Sequence, residues 1–201
     1  MEALAQHLPE LALAGALSWG AGLRLYLVVM ALGLAGHFGW LPLPEHLNLV
    51  ASPLVIGAAG FMAALEMFAD KLPWLDSVWD GLQTFVRIPA GAALAAGVFG
   101  DSGAGVALAA ALLGGSVTAA THFSKAGARA AANTSPEPFS NLALSLGEDA
   151  LVLGGGWLAV QYPAVFLALL AIFLVTAVLL IRWVIRGARR LFGSAASPHG
   201  R

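Results

Sequence analysis

Two adjacent carboxylates, Glu148 and Asp149, stand in an apolar stretch that reads SPEPFSNLALSLGEDALVLGGGWLAVQY from residue 135 to residue 162. The serine, asparagine and proline residues ahead of them predict a helix that begins near Pro138. If the stretch spans a membrane, Glu148 lies about 15 Å along that helix, near the bilayer centre. A charge there costs at least about 2.5 kcal/mol, so both acids must face protein or water. Such residues mark ion or proton pathways; the alternative is a structural ion pair with a buried arginine.

Three further charged residues fall inside apolar stretches and could complete such a site. Arg24 and Arg87 are the basic residues deepest in predicted helices, which makes them the counter-ions of the two acids. A guanidinium also binds carboxylate or phosphate through two parallel hydrogen bonds, so either arginine could instead hold an anionic substrate. With Glu66 added, the predicted site for an ion or substrate consists of Arg24, Glu66, Arg87, Glu148 and Asp149. No catalytic residue is predicted.

The segment EMFADKLPWLDSVWD, from residue 66 to residue 80, carries closely spaced acids. Glu66 and Asp70 share a helix face because four residues separate them. Clustered carboxylate oxygens suit Mg²⁺ or Ca²⁺, so Asp70, Asp76 and Asp80 form a candidate metal site, with a divalent cation as its cofactor. The alternative is a solvated acidic turn with Lys71 as partner, because the run lacks the fixed ligand spacing of a loop such as the EF-hand.

The composition of the chain is that of a membrane protein. Of its 201 residues 59% are hydrophobic and 10% are charged, against roughly 25% charged residues in soluble domains. Since a spanning helix needs about 20 mainly apolar residues, we expect an all-α polytopic protein with about six transmembrane helices in a single domain, residues 1–201. The lack of cysteine excludes disulfides and thiolate sites. No P-loop, HExxH motif, dinucleotide fingerprint or nucleophile elbow is present, so enzymatic activity is the less favoured interpretation.

Six apolar segments can be drawn, at about residues 10–36, 50–69, 80–99, 104–122, 139–161 and 163–186. The last one ends in four arginines between residues 182 and 190, which marks its cytoplasmic end. Six crossings would then place both termini in the cytoplasm and leave the outer loops without lysine or arginine. On this topology His122, Lys125 and Arg129 lie at the cytoplasmic face, where they would meet lipid headgroups.

Short matches relate the two halves of the chain. The string AGLR at Ala21–Arg24 resembles AGAR at Ala126–Arg129, and LVIGAAGFMAAL from residue 54 resembles LVLGGGWLAV from residue 151. Because each half holds three helices, an odd number, the pattern predicts two inverted three-helix repeats, residues 10–100 and 104–188, as in many transporters.

Small residues and prolines interrupt several segments, notably SWGAGLR in the first, Pro89 in the third and glycine pairs or triplets in the fourth and fifth. Small residues commonly serve close helix packing. For SWGAGLR we instead predict a broken helix around Gly20 to Leu23. Its freed backbone groups would face a cavity shared with the fifth segment, because irregular backbone at membrane depth must be buried or line a cavity.

Several strings are specific enough to compare with a known family: VASPLVIGAAG, EMFADKLPWLDSVWDGLQTFVRIPAGAALA, HFSKAGARAAANTSPEPFSN and LGEDALVLGGGWLA. Over about residues 15–185 the chain resembles an uncharacterised bacterial integral-membrane family with a domain-of-unknown-function label, DUF4126. The resemblance implies a polytopic protein of the bacterial inner membrane and implies no particular activity. Where that family often reads Arg-Pro-Pro, this chain has Arg87-Ile88-Pro89.

These observations favour a small inner-membrane transporter or channel, whose carboxylates and arginines bind an ion, a proton or a small charged solute near the midplane. One alternative is an intramembrane lipid-modifying enzyme that uses His122 and the acids of DKLPWLD. Another is a non-catalytic membrane assembly protein. The expected partners are the lipid bilayer and the small ion or solute, with no nucleic acid, and a homo-oligomer is left open.

Overall fold

The computed structural model describes the backbone of residues 2–132 and 138–193. Side chains are described for residues 7–130, 142–183 and 186, apart from those at positions 73, 74, 76 and 77. The described residues form six α-helices and two short 3-10 helices. These are α1 (Glu2–His37), η1 (Glu45–Ala51), α2 (Pro53–Ala69), α3 (Pro73–Val98), η2 (Gly100–Ser102), α4 (Ala104–Ala132), α5 (Pro138–Gln161) and α6 (Pro163–Gly193).

The helices follow the predicted apolar segments closely, and the fold is all-α as expected. Helix α5 begins at Pro138, the predicted residue. Helix α4 continues to Ala132, about ten residues beyond the predicted segment. Pro89 lies inside α3, and the glycines of the fourth and fifth segments lie inside α4 and α5, so none of these residues ends a helix. Gly114 and Gly155 are close-packing positions, because a Cβ atom on Gly114 would overlap Cβ of Ala95 and one on Gly155 would lie 2.6 Å from the ring of Trp19, whereas Gly154 and Gly156 meet nothing within 4 Å.

Several described helices are apolar and long enough to cross a membrane. By length and composition these are His7–His37, Ala104–Ala130, Leu142–Gln161 and Pro163–Trp183. A fifth span is added if Glu45–Ala51 and Pro53–Ala69, which meet at 65°, form one bent crossing. The chain is therefore a membrane protein by its helices, while the count of six spans stays a prediction.

The first helix is broken at Arg24, where the backbone leaves the helical region with φ of −146° and ψ of 74°. This break lies one residue beyond the predicted range. A Cβ atom placed on Gly20 would lie 2.7 Å from Cγ2 of Val28. In a continuous helix, eight residues are about 12 Å apart along the axis. The two arms of α1, residues 2–23 and 25–37, therefore fold back on each other as a helical hairpin with Arg24 at its tip.

Both ends of this hairpin lie at the same end of the bundle. In the first arm, Leu11 lines a cavity together with Phe99 and Val106, at the connection between α3 and α4. In the second arm, a Cβ atom on Gly33 would touch the backbone of Val50 in η1. The sequence analysis treated residues 10–36 as one crossing. In the structure, by contrast, the first arm begins and the second arm ends at the same end of the bundle, and the number of crossings stays a prediction.

The hairpin is the centre of the bundle, because α1 packs against each of the five other α-helices. Near the tip the approach is close enough to require glycine. A Cβ atom on Gly22 would lie 2.6 Å from both the carbonyl oxygen of Thr118 and Cβ of Thr121 in α4. The Thr118 hydroxyl also donates to the carbonyl of Ser18 at 2.8 Å, which ties the first arm to α4.

The predicted inverted repeat is not confirmed. The string AGLR lies at the break of α1, whereas the matching string AGAR lies inside α4, which runs without a described interruption from Ala104 to Ala132. The two strings therefore adopt different structures, and the repeat stays a prediction.

We expect Gly22→Val to destabilise the protein by about 1–3 kcal/mol, as overpacking does in well-packed cores. The added Cβ atom and its two methyl groups would press on the backbone of α4. Unfolding in mixed detergent micelles measures the change. Gly57→Val in α2 is the control, because a Cβ atom there meets nothing within 4 Å. Equal losses in the two variants would contradict the close approach.

The hairpin also predicts which single-cysteine variants are labelled from the same side of a membrane. The chain has no native cysteine, so each variant reports one position. His7→Cys and Asn48→Cys, both at exposed positions, should react from one side, and Lys71→Cys from the other. Labelling of positions 7 and 71 from the same side would show that α1 crosses once and that the hairpin is wrong.

Candidate functional site

The polar residues of four helices are spaced so that each helix presents one polar face. In α3 these are Asp80, Gln83, Thr84 and Arg87, and in α4 they are His122, Lys125 and Arg129. Residues three, four and seven apart lie on one side of a helix. The same spacing holds for Glu66 and Asp70 at the end of α2 and for Ser145, Glu148 and Asp149 in α5. All four faces turn toward the tip of the α1 hairpin.

Among the residues whose side chains the structure describes, nine charged ones meet at this tip, and we call them the charge cluster. Eight of them are buried, and Asp149 is partly exposed, with 23% of its side chain accessible. The cluster consists of Arg24, Glu66, Asp70, Asp80, Arg87, Lys125, Arg129, Glu148 and Asp149.

Arg24 is the centre of the cluster and contacts four carboxylates. Its guanidinium nitrogens lie 2.5 Å from Oδ2 of Asp70 and 3.0 Å from Oδ1 of Asp149. The distances to Oε2 of Glu148 and Oε1 of Glu66 are 3.3 Å and 3.7 Å. Since Arg24 is the one non-helical residue of α1, the break itself aims its side chain between α2 and α5.

Lys125 of α4 binds the backbone that the break sets free. Its ammonium donates to the carbonyl oxygen of Leu23 at 2.9 Å. The same ammonium lies 3.3 Å from Glu148 and 3.5 Å from Glu66. The freed carbonyl was predicted to face a cavity shared with the fifth segment. It is instead satisfied by a cation of the fourth helix.

Arg87 organises the part of the cluster between α2, α3 and α4. It donates to Oε1 of Glu66, to Oδ1 of Asp80 at 3.0 Å and to Nδ1 of His122 at 3.2 Å. A guanidinium can only donate, so Nδ1 of His122 accepts, and the ring proton resides on Nε2. That Nε2–H then donates to Oγ1 of Thr84 at 2.7 Å, and the Thr84 hydroxyl donates to the carbonyl of Asp80 at 3.1 Å. His122 is therefore neutral in this arrangement.

Arg129 joins the end of α4 to α2 and α5. It donates to both carboxylate oxygens of Glu148, at 3.1 Å and 3.0 Å, and to Oδ2 of Asp70 at 3.2 Å. Asp70 follows the last residue of α2 and lies outside the apolar spans. Burial acts to raise the pKa of Asp70, but Arg24, Lys125, Arg129 and the Ser145 hydroxyl together bring it below its ordinary value. Asp70 is therefore a permanent anion at neutral pH.

Counted over the described residues alone, the charges of the cluster do not balance. It holds five carboxylates and four cations, so with every group in its ordinary ionised form and His122 neutral it carries one net negative charge. A buried excess charge is costly and favours the uptake of one positive charge.

A cavity of about 240 Å³ opens beside Arg24, between the second arm of α1, α2 and α5. We call it the Glu66 cavity. Glu66, Arg24 and Asp149 form its polar wall, and the other lining residues are apolar. Glu66 is 1% exposed; its Oε1 accepts from Arg87, whereas its Oε2 has no hydrogen-bond partner. An unsatisfied buried acceptor costs about 1–3 kcal/mol, so a donor that reached Oε2 from this cavity would be stabilised.

The five residues predicted to bind an ion or substrate are brought together. The structure places Arg24, Glu66, Arg87, Glu148 and Asp149 in the charge cluster, and both acids of α5 contact Arg24 as predicted. Their role in binding stays a prediction.

The metal site predicted at Asp70, Asp76 and Asp80 receives no support from the geometry. Asp70 and Asp80 contact Arg24, Arg87 and other cations, and the side chain of Asp76 lies outside the described residues. Among the described residues, no three histidine, aspartate or glutamate side chains are grouped to hold a metal ion. Asp70 and Asp80 complete ion pairs with arginine and lysine.

Sequence reasoning missed three members of the site. His122, Lys125 and Arg129 were predicted to meet lipid headgroups, but they are 1%, 4% and 2% exposed. Their distance from the end of the apolar segment suggested a membrane surface. Their spacing of three and four residues, which places them on one helix face, was the signal that could have identified them.

The family model described as Domain of unknown function (DUF4126) matches residues 11–183. The chain belongs to this family. The matched range contains the hairpin from residue 11 onward and every residue of the charge cluster. Comparison with curated proteins and with solved structures gave no match. The function of this DUF4126 protein must therefore be argued from the cluster itself.

We expect Arg87→Met to cost about 3–5 kcal/mol, because it leaves Glu66 without its closest cation in a buried site. The double variant Arg87→Met/Glu66→Leu should lose less, because it restores the net charge of the cluster and Lys125 remains near Asp80. Unfolding in mixed micelles compares the two. A double variant less stable than the single one would show that Glu66 stabilises the fold independently of Arg87.

Proposed function

We propose that the protein is a small membrane transporter or channel that moves a proton or a small cation through the charge cluster. The observation that carries the proposal is the broken hairpin, which holds Arg24 and freed backbone groups among four carboxylates inside a bundle of apolar helices. In a membrane, irregular backbone and buried charges persist where they are enclosed by protein or line a pathway. Discontinuous helices commonly form the binding sites of transporters.

The charge balance supports a positive rather than a negative cargo. An anion would have to displace one of the carboxylates that already surround Arg24. A proton or cation would neutralise the net negative charge and find an acceptor at Oε2 of Glu66. Asp149 is the cluster member with the most exposed side chain, and we assign it the exchange of charge with the cavity.

The arginine-rich end of α6 supports an orientation for this pathway. Arg182 and Arg186 are exposed and would lie in the cytoplasm of a bacterial cell, by the positive-inside rule. Helix α6 runs antiparallel to α5 after the single residue Tyr162, so its last turns point toward the end of the bundle at which α2 meets α3. The ends of the hairpin would then face the outside. This proposed orientation differs from the expectation that both termini are cytoplasmic.

Flux into proteoliposomes tests the proposal. We expect the purified protein to dissipate a pH gradient or a cation gradient, and Asp149→Asn to reduce the rate at least tenfold because the variant cannot carry the exchanged charge. Asp101→Asn is the matched control, since Asp101 is exposed and lies away from the cluster beside His46. Wild-type rates in both Asp149→Asn and Glu148→Gln would refute the claim that these carboxylates conduct.

A further inference from the structure

The Glu66 cavity has two walls of different chemistry. Arg24, Glu66 and Asp149 form one wall. The other wall is apolar and includes Leu27, Met30, Met67 and Phe68. Methionine side chains adapt to ligands of varied shape because they are unbranched and polarisable. A cavity with a few polar groups on one side and apolar side chains on the other is typical of a site for a small organic molecule.

The polar wall selects for a hydrogen-bond donor with a positive charge. Arg24 already contacts four carboxylates, so it has little capacity for an anion. The free acceptor is Oε2 of Glu66, which is buried and unpartnered, and the partly exposed carboxylate of Asp149 lines the same cavity. A cation that donates hydrogen bonds would satisfy the first and pair with the second.

The apolar wall argues against a metal ion as the occupant. Mg²⁺ and Ca²⁺ need six or more oxygen ligands, including waters, and the described residues group no such set here. The volume of about 240 Å³ is far more than one bare ion fills. The aromatic ring of Phe68 already has a cation beside it, because the ammonium of Lys71 lies 4.8 Å from the ring centre. The remaining apolar side chains of this wall, Leu27, Met30 and Met67, are suited to contact with a hydrocarbon group.

We infer that the Glu66 cavity binds a primary ammonium that carries a short apolar chain. The ammonium donates to Oε2 of Glu66 and pairs with Asp149, and the chain packs against Met30 and Met67. The inference deepens the proposed function by naming the class of cation, and the transport part of it rests on that proposal. Binding itself does not. A free alkylamine and the ammonium headgroup of phosphatidylethanolamine share this chemistry.

Binding can be measured without a gradient, on the full chain in nanodiscs of phosphatidylcholine, whose headgroup is a quaternary ammonium without N–H donors. The probe is 4,4,4-trifluorobutylammonium, followed by ¹⁹F NMR. We expect saturable binding that n-butylammonium displaces, whereas butyrate, n-butanol and sodium chloride do not. If butyrate or n-butanol displaced the probe as effectively as n-butylammonium does, the inference would be overturned, because the site would then not recognise the ammonium group.

A cavity-filling variant locates the site without removing a charge. Ala63→Leu places three carbons into the cavity and should weaken probe binding at least tenfold. Ala58→Leu, on the exposed side of the same helix, is the matched control and should bind as the wild type does. Asp149→Asn should weaken binding as well. Unchanged binding in Ala63→Leu would overturn the assignment to this cavity.

Two further measurements are needed. One distinguishes a free amine from a lipid headgroup as the occupant, and the other distinguishes amine binding from transport. Nanodiscs that contain phosphatidylethanolamine should lower the apparent affinity for the probe if the lipid headgroup is the natural occupant, and leave it unchanged if the occupant is a free amine. Amine binding without any flux in proteoliposomes would refute transport and retain the site. Flux of protons without amine binding would refute the site and retain transport.

Discussion

Burial of Arg24 is the constraint on which the rest of the structure depends. A guanidinium that is 2% exposed and surrounded by apolar helices requires anions at hydrogen-bonding distance. Those anions come from α2 and α5, and they in turn require the cations of α3 and α4. The helices are therefore held in register by charge pairs. In a bilayer the surrounding lipid is as apolar as the helices, so the hydrophobic effect contributes little to their association.

The arms of the hairpin and its tip are held in place by different kinds of contact. The arms are packed through small residues, as Gly22 against α4 illustrates. The tip is fixed through polar contacts, from Lys125 to the freed carbonyl of Leu23 and from Arg24 to the carboxylates. The bundle is therefore held by close packing along the arms and by charge pairs at the tip.

Some features of the fold and of the charge cluster could be predicted from the sequence and others could not, depending on the kind of sequence pattern that encodes them. The start of α5 at Pro138 and the pairing of Glu148 and Asp149 with Arg24 followed from local composition and the cost of buried charge. The hairpin did not, because hydropathy is the same for one long span as for two arms that fold back at Arg24. Lys125 and Arg129 were misplaced because their depth was judged from the end of the apolar segment rather than from the face they share.

The hairpin also constrains the order in which the protein can be assembled during synthesis. The contact between Arg24 and Ser145 joins residues 121 positions apart in the chain. At about 5–20 residues per second, α1 leaves the ribosome several seconds or more before α5 exists. An arginine on an isolated helix is costly at membrane depth. Helix α1 is therefore made before the partners that neutralise Arg24, and it can reach its final position only after α5 has been made.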